Sequence, residues 1–212
     1  MKVTVSYINS KFDLQTTLKK IDKCENVDYI HVDLMDGKFV PTKNFEKKDL
    51  LKIFKDIDHP LDVHLMTEEP ESYLEVLFKL NLHIIYFHPS TTGDGLAFIN
   101  LIRKFNRKVG IVINPNENCR DFKDYFPLVD AVLVMSVTPG KGGQHFLRES
   151  LVNYQLLRSE SKNYIFEIFV DGGITDETIS FVKDADGVVS GSFVCNSDDF
   201  EKQVNKLKEK GE

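Results

Sequence analysis

The sequence predicts an α/β protein, a single (β/α)8 TIM barrel over residues 1–212. Three observations predict it. Eight short β-branched runs recur along the chain, each four to seven residues long, as buried parallel strands are. Stretches of helical periodicity lie between them, with no break in composition and no low-complexity linker. The polar residues with the richest chemistry fall where these runs end, the catalytic rim of such a barrel.

The elements follow in order. The first run, VTVSYI, starts at Val3, and Leu14, Leu18 and Ile21 then share one helical face. DYIHVDL starts at Asp28 and LDVHLM at Leu61. Thr67 precedes Glu68 and Glu69, the pattern of an N-cap hydroxyl before first-turn acids, and Leu74, Leu77 and Phe78 share the face that follows. HIIYFH, from His83, leads to a face of Phe98, Ile102 and Phe105. KVGIVI starts at Lys108 and DAVLVMS at Asp130, and a helix is predicted from Leu147 to Arg158. IFEIFV starts at Ile165; Thr175, before Asp176 and Glu177, is the second expected cap. DGVVSG starts at Asp186, and a last helix is predicted from Phe200 to Lys210. A doubly wound open sheet is the competing architecture. No GxGxxG follows the first strand and no P-loop occurs, so its usual ligand signature is missing.

Composition narrows the class. With 42% hydrophobic and 28% charged residues the chain reads as globular rather than disordered. The net charge of −6 argues against a nucleic-acid partner, which needs a basic face. No apolar stretch is long enough for a membrane helix, and MKVTVSYINSKFD lacks a leader's apolar core. Cys24, Cys119 and Cys195 are three widely spaced residues without a CxxC pair, read as reduced thiols of a cytoplasmic protein.

Side chains alternate along a strand, so His31, Asp33 and Met35 face one way in HVDLM, and Asp62, His64 and Met66 do so in DVHLM. Inward polar groups are costly in a barrel normally filled by branched apolar side chains. Two imidazoles and two or more carboxylates at one rim offset that cost by binding a divalent cation; zinc, iron(II), manganese and cobalt suit such donors. Any one of these histidines alone reads more readily as a satisfied core residue; HxD on one strand beside DxH on the next reverses the preference in favour of the site. Beyond Met1, the chain has only Met35, Met66 and Met135, all at predicted strand ends. They read either as core gap-fillers or as an apolar collar over a ligand.

Glycine-rich stretches follow the sixth and seventh strands, Thr138-Pro139-Gly140-Lys141-Gly142-Gly143-Gln144 and Asp171-Gly172-Gly173, and Ser190-Gly191-Ser192 closes the eighth. Glycines let backbone N–H groups approach an anion, and the loops after strands seven and eight form the phosphate site common in this fold.

HVDLMDGKFVP, LDVHLM, MSVTPGKGGQ, VDGG and SGS resemble, in order and spacing, the motifs of the ribulose-phosphate 3-epimerase family, and the resemblance covers essentially the whole chain. It implies interconversion of D-ribulose 5-phosphate and D-xylulose 5-phosphate. It further implies one divalent metal on His31, Asp33, His64 and Asp171, with Asp33 and Asp171 doubling as the acid/base pair. Ser10 and His64 are then expected at the substrate beside Met35, Met66 and Met135. Gly142, Gly143, Gly172, Gly173, Gly191 and Ser192 are expected at its phosphate. Lys141, Phe169 and Thr42 depart from the family pattern, which has an apolar or aromatic residue, a Glu and an Asn at those places. D-Allulose 6-phosphate, suggested by FHPST at Phe87 to Thr91, is the alternative substrate. A non-catalytic phosphosugar-binding barrel is the alternative class, and assembly as a homo-oligomer stays open.

Overall fold

A computed structural model describes residues 1–211. Eight parallel strands close into a barrel in sequence order: β1 (Lys2–Ser6), β2 (Tyr29–Met35), β3 (Leu61–Met66), β4 (Leu82–Phe87), β5 (Lys108–Ile113), β6 (Ala131–Met135), β7 (Glu167–Asp171) and β8 (Gly187–Ser190). The expected architecture and all eight strand positions are present. Closure leaves no sheet edge, so every strand is paired on both sides.

Helices cover the outside. α1 (Leu14–Asp22) follows β1 and α2 (Lys47–Phe54) follows β2; α3 (Leu74–Leu77) comes after a 3-10 turn, and α4 (Gly95–Lys104) follows β4. α5 (Leu151–Glu160) follows β6, while α6 (Ser192–Cys195) and α7 (Phe200–Gly211) follow β8. Asp13 caps α1, accepting from Thr16 N at 3.0 Å, and Asp94 caps α4 through Ala97 N at 3.0 Å. Leu18 and Ile21 of α1 and Phe98, Ile99 and Ile102 of α4 are buried against the barrel.

Three local expectations are corrected. The connections β5–β6 and β7–β8 carry 3-10 turns, Cys119–Leu128 and Thr178–Val182, in place of α-helices. Pro127 lies inside the first and cannot donate to a helical ladder. Thr67 caps nothing: the turn after β3 starts beyond Glu69, and the buried Thr67 Oγ1 has no partner among the described residues. Thr175 does act as a cap, its Oγ1 accepting from Glu177 N and Thr178 N at 3.2 Å each, on a 3-10 turn.

Register places the functional strands. β2 and β3 align His31 with Asp62, Asp33 with His64 and Met35 with Met66. Met135 on β6 aligns with Asp171 on β7. Beneath the rim the barrel is filled by Tyr86, Phe169, Val112, Leu133 and Val189, all buried. Phe169 lies over Gly187, where a Cβ would meet its ring at 2.2 Å. The family's glutamate position is therefore used here for packing. Glu167, deeper on the same strand, pairs with Lys2.

Candidate metal and substrate site

His31, Asp33, His64 and Asp171 meet at the C-terminal rim. Each offers one ligand atom, and these four atoms lie within 4.8 Å of one another. His31 Nε2 is 3.4 Å from Asp33 Oδ1 and 3.7 Å from Asp171 Oδ2, and His64 Nδ1 is 3.1 Å from Asp33 Oδ1. Both nitrogens of the fully buried His31 lack a hydrogen-bond partner among the described residues. A buried imidazole without a partner is costly unless a ligand completes it. Two imidazoles and two carboxylates at this spacing are a set able to hold a metal ion.

The two carboxylates sit in unlike surroundings. Asp33 Oδ2 accepts from Ser6 Oγ at 3.1 Å. Burial opposes its charge, but His31 and His64 overcome that and hold the carboxyl well below the usual range. Asp171 has less support: burial first, and then the Asp33 charge, push it up to about 6 against the pull of His31. For His31 burial disfavours the cation, yet Asp33 and then Asp171 and Asp62 bring it up to about 9.

The backbone beneath these groups is fixed by side chains. Asn44 Nδ2 donates to Asp33 O at 2.6 Å and its Oδ1 accepts from Met35 N at 3.1 Å; Tyr7 Oη also donates to Asp33 O, at 3.0 Å. Ser136 donates to the carbonyls of Asp171 and Gly172 at 2.9 and 2.6 Å. We expect Asn44→Ala to cost about 1–3 kcal/mol in urea unfolding, because it takes the side-chain acceptor from Met35 N and leaves Asp33 O with Tyr7 alone. A change under 0.5 kcal/mol would show that water replaces the amide.

A cleft of about 960 Å³, open mouth included, runs from the carboxylates to the glycine loops. Ser6, Asp33, Met66, Met135 and Asp171 line one end; Gly142, Gly143, Gly172, Gly173, Gly191 and Ser192 line the other. Gly172 and Gly173 have φ of +116° and +63°, and a Cβ on Gly173 would meet Phe146 N at 2.4 Å, so only glycine fits this approach of two loops. Lys141 lines the same end. Thr42 Oγ1 donates to Gly140 O at 2.9 Å and ties the loop after β2 to the glycine loop.

Three expected substrate residues are absent from the cleft lining: His64, fully buried at the ligand cluster, Ser10 and Met35. Ser10 is not in the cleft lining: its hydroxyl donates to Cys195 O at 3.3 Å and accepts from Phe12 N and Thr17 Oγ1 at 3.1 and 2.8 Å. It binds the loop after β1 to α6, and Ser6, four residues earlier, is the serine of this segment that lines the cleft. Met35 is buried against Val40 and Met66, and only Met66 of the three reaches the lining. Sequence reasoning also passed over His88, 1% exposed, whose Nε2 is 2.9 Å from His64 Nε2. Burial and the neighbouring His64 keep its pKa well below the usual histidine value. A second histidine ending the next strand, His88 after Phe87, was the available signal.

Residues 2–195 match the model of the ribulose-phosphate 3 epimerase family. A ribulose-phosphate 3-epimerase of Helicobacter pylori (strain J99) is 35% identical over 205 residues, 94% of this chain and 93% of that one. The enzyme of that name from Bacillus subtilis (strain 168) is 32% identical over 214 residues, covering 98% of each chain. Among solved structures, a 3-hexulose-6-phosphate synthase superposes with a TM-score of 0.70 at 16% identity over 99% of each chain. N-(5'-phosphoribosyl)anthranilate isomerase from Pyrococcus furiosus gives 0.64 at 16% identity, covering all of this chain and 98% of that one. At that identity the structural matches speak for the barrel alone. By family model and by two curated relatives above 30% identity across nearly the whole chain, the protein belongs to the ribulose-phosphate 3-epimerase family.

Proposed function

We propose that the chain interconverts D-ribulose 5-phosphate and D-xylulose 5-phosphate by moving a proton at C3 between Asp33 and Asp171. The observation that carries this reading is the pair of carboxylates, Asp33 buried and Asp171 partly buried, that face one cleft beside two imidazoles; their unlike surroundings push the two pKa values in opposite directions. Epimerisation removes the C3 proton from one face and returns a proton to the other, and one base cannot reach both faces. Unequal environments suit unequal duties: Asp33 is held as the charged base, and Asp171 takes up and releases a proton near neutral pH. In the reverse direction the roles exchange.

His31, Asp33, His64 and Asp171 are the residues that would hold one divalent ion, and the partnerless imidazole of His31 fits that use. Such an ion supplies a Lewis acid for the C2 oxygen and steadies the negative charge that forms as C3 loses its proton. Ser6 orients Asp33 through their 3.1 Å hydrogen bond. Met66 and Met135 present apolar surface beside the carboxylates and keep water from the carbanion-like carbon. The backbone around Gly142, Gly143, Gly172, Gly173, Gly191 and Ser192 would take the phosphate, and Lys141 adds local positive charge on a chain of net charge −6. Phosphate held remote from C3 supplies orientation.

Proton exchange at C3 in D2O, followed by NMR, tests the reading. Exchange with epimerisation of D-ribulose 5-phosphate is the expected result. Exchange confined to D-allulose 6-phosphate would reassign the substrate, and exchange with neither sugar would leave a binding protein.

A further inference from the structure

The His64 ring has two nitrogens, and the ligand cluster uses one. Nδ1 faces Asp33 Oδ1 at 3.1 Å, on the side of the cluster, and Nε2 faces His88 Nε2 at 2.9 Å. His88 Nδ1 lies in turn 3.4 Å from Asn114 Nδ2. Phe39 packs on the His88 ring at 4.6 Å and helps close this row from solvent. Two neutral imidazoles meeting through Nε2 have one proton between them, so one donates and the other accepts.

The direction of that bond is tied to the cluster. With its proton on Nδ1, His64 donates to Asp33, accepts from His88 Nε2–H, and His88 Nδ1 accepts from the Asn114 amide. With an ion on Nδ1, the His64 proton must sit on Nε2 and point at His88. The His88 proton is then on Nδ1 and points at Asn114. Asn114 serves either direction, because its amide carries a donor and an acceptor. Its Oδ1 is buried with no partner among the described residues, and a half turn brings it to His88.

We infer that His88 and Asn114 are positioning residues that hold His64 as the Nε2–H tautomer with its Nδ1 lone pair toward the ion. The hydrogen bonds along the row reverse when the ion binds. The protons balance: the one between the two Nε2 atoms passes from His88 to His64. The proton on His64 Nδ1 leaves, and one is taken up on His88 Nδ1. This rests on the metal reading above and adds to it the part of the chain that sets the ligand's tautomer, a role that groups behind metal-bound imidazoles commonly fill.

Nitrogen-15 NMR of the histidine rings tests it on the whole protein, metal-free and zinc-loaded. In the zinc form we expect His64 protonated on Nε2 and His88 on Nδ1. His88→Leu should weaken zinc binding about 10- to 100-fold by chelator competition. His88→Gln, whose Oε1 still accepts from His64, should keep most of the affinity. Metal-free melting curves of both variants separate lost folding from lost positioning. His88 remaining protonated on Nε2 with zinc bound, or wild-type affinity in His88→Leu, would overturn the inference alone. The absence of any zinc-dependent shift at His31 and His64 would overturn the metal reading and this inference with it.

Discussion

Asp33→Asn and Asp171→Asn should each lower epimerisation by about a thousandfold, the middle of the range for losing one positioned acid or base. The two variants should not be alike in what they retain. Each carboxylate faces one side of C3, so each variant keeps the base that serves one epimer. One variant should still exchange the C3 proton of D-ribulose 5-phosphate with D2O and fail on D-xylulose 5-phosphate; the other should show the reverse. Turnover stays blocked in both, because the second face has no proton donor. NMR on each pure epimer checks this directly. Loss of exchange with both epimers in both variants would instead reduce the carboxylates to ligands of the ion. Near-normal turnover in either would sink the two-base mechanism. Metal content of each variant, measured alongside, separates loss of the ion from loss of the base. The substitutions are not equivalent for the fold. Asp33 is the near neighbour of both imidazoles, at 3.4 and 3.1 Å, so its neutral amide leaves the His31 cation less compensated. Asp171, already pushed up to about 6 by burial, exchanges a poorly tolerated charge for an amide, and that variant should be the more stable of the two.

The sequence carried the barrel because buried parallel strands are dense in β-branched residues and because period two assigns each polar residue a face. His31, Asp33 and His64 were legible for that reason, and register then set Asp33 beside His64. What period two cannot reveal is what a side chain meets once loops close over the rim. Ser10 and Ser6 differ by an even number of positions and look alike in sequence; only the turn at Asn9, with φ of +62°, sends Ser10 to Cys195 and leaves Ser6 in the cleft. Thr67 failed as a cap for a related reason. Threonine before two acids is a local signal, and Pro70 starts a 3-10 turn too late for its hydroxyl to reach a free N–H. α2 was not among the helical faces expected, although Leu50 and Phe54 are four apart and both buried; it is only eight residues long. His88 reads as the end of a strand until the partner ring on β3 is located.

Removing the ion with a chelator should abolish turnover, and zinc, iron(II), manganese or cobalt should restore it. The more telling result is how the affinity depends on pH. A metal-free His31 with its pKa brought up to about 9 carries a proton at pH 7, and an ion must displace it. Affinity should therefore climb about tenfold per pH unit between roughly pH 6 and 9 and flatten above. Below about 6 Asp171 is protonated as well, a second proton must leave, and the slope should approach two. The stability of the metal-free protein should move the other way. The folded pKa of His31 lies above its unfolded value of about 6.5, so its contribution is fully present below that pH and is lost as pH rises through about 9. With an ion bound, His31 is neutral throughout, and that decline in stability should vanish. Chelator competition from pH 5 to 10, with melting curves of both forms, measures each half of this linkage. An affinity that stays level between pH 7 and 9 would mean that His31 gives up no proton to the ion, and that the carboxylates 3.4 and 3.7 Å away do not charge it.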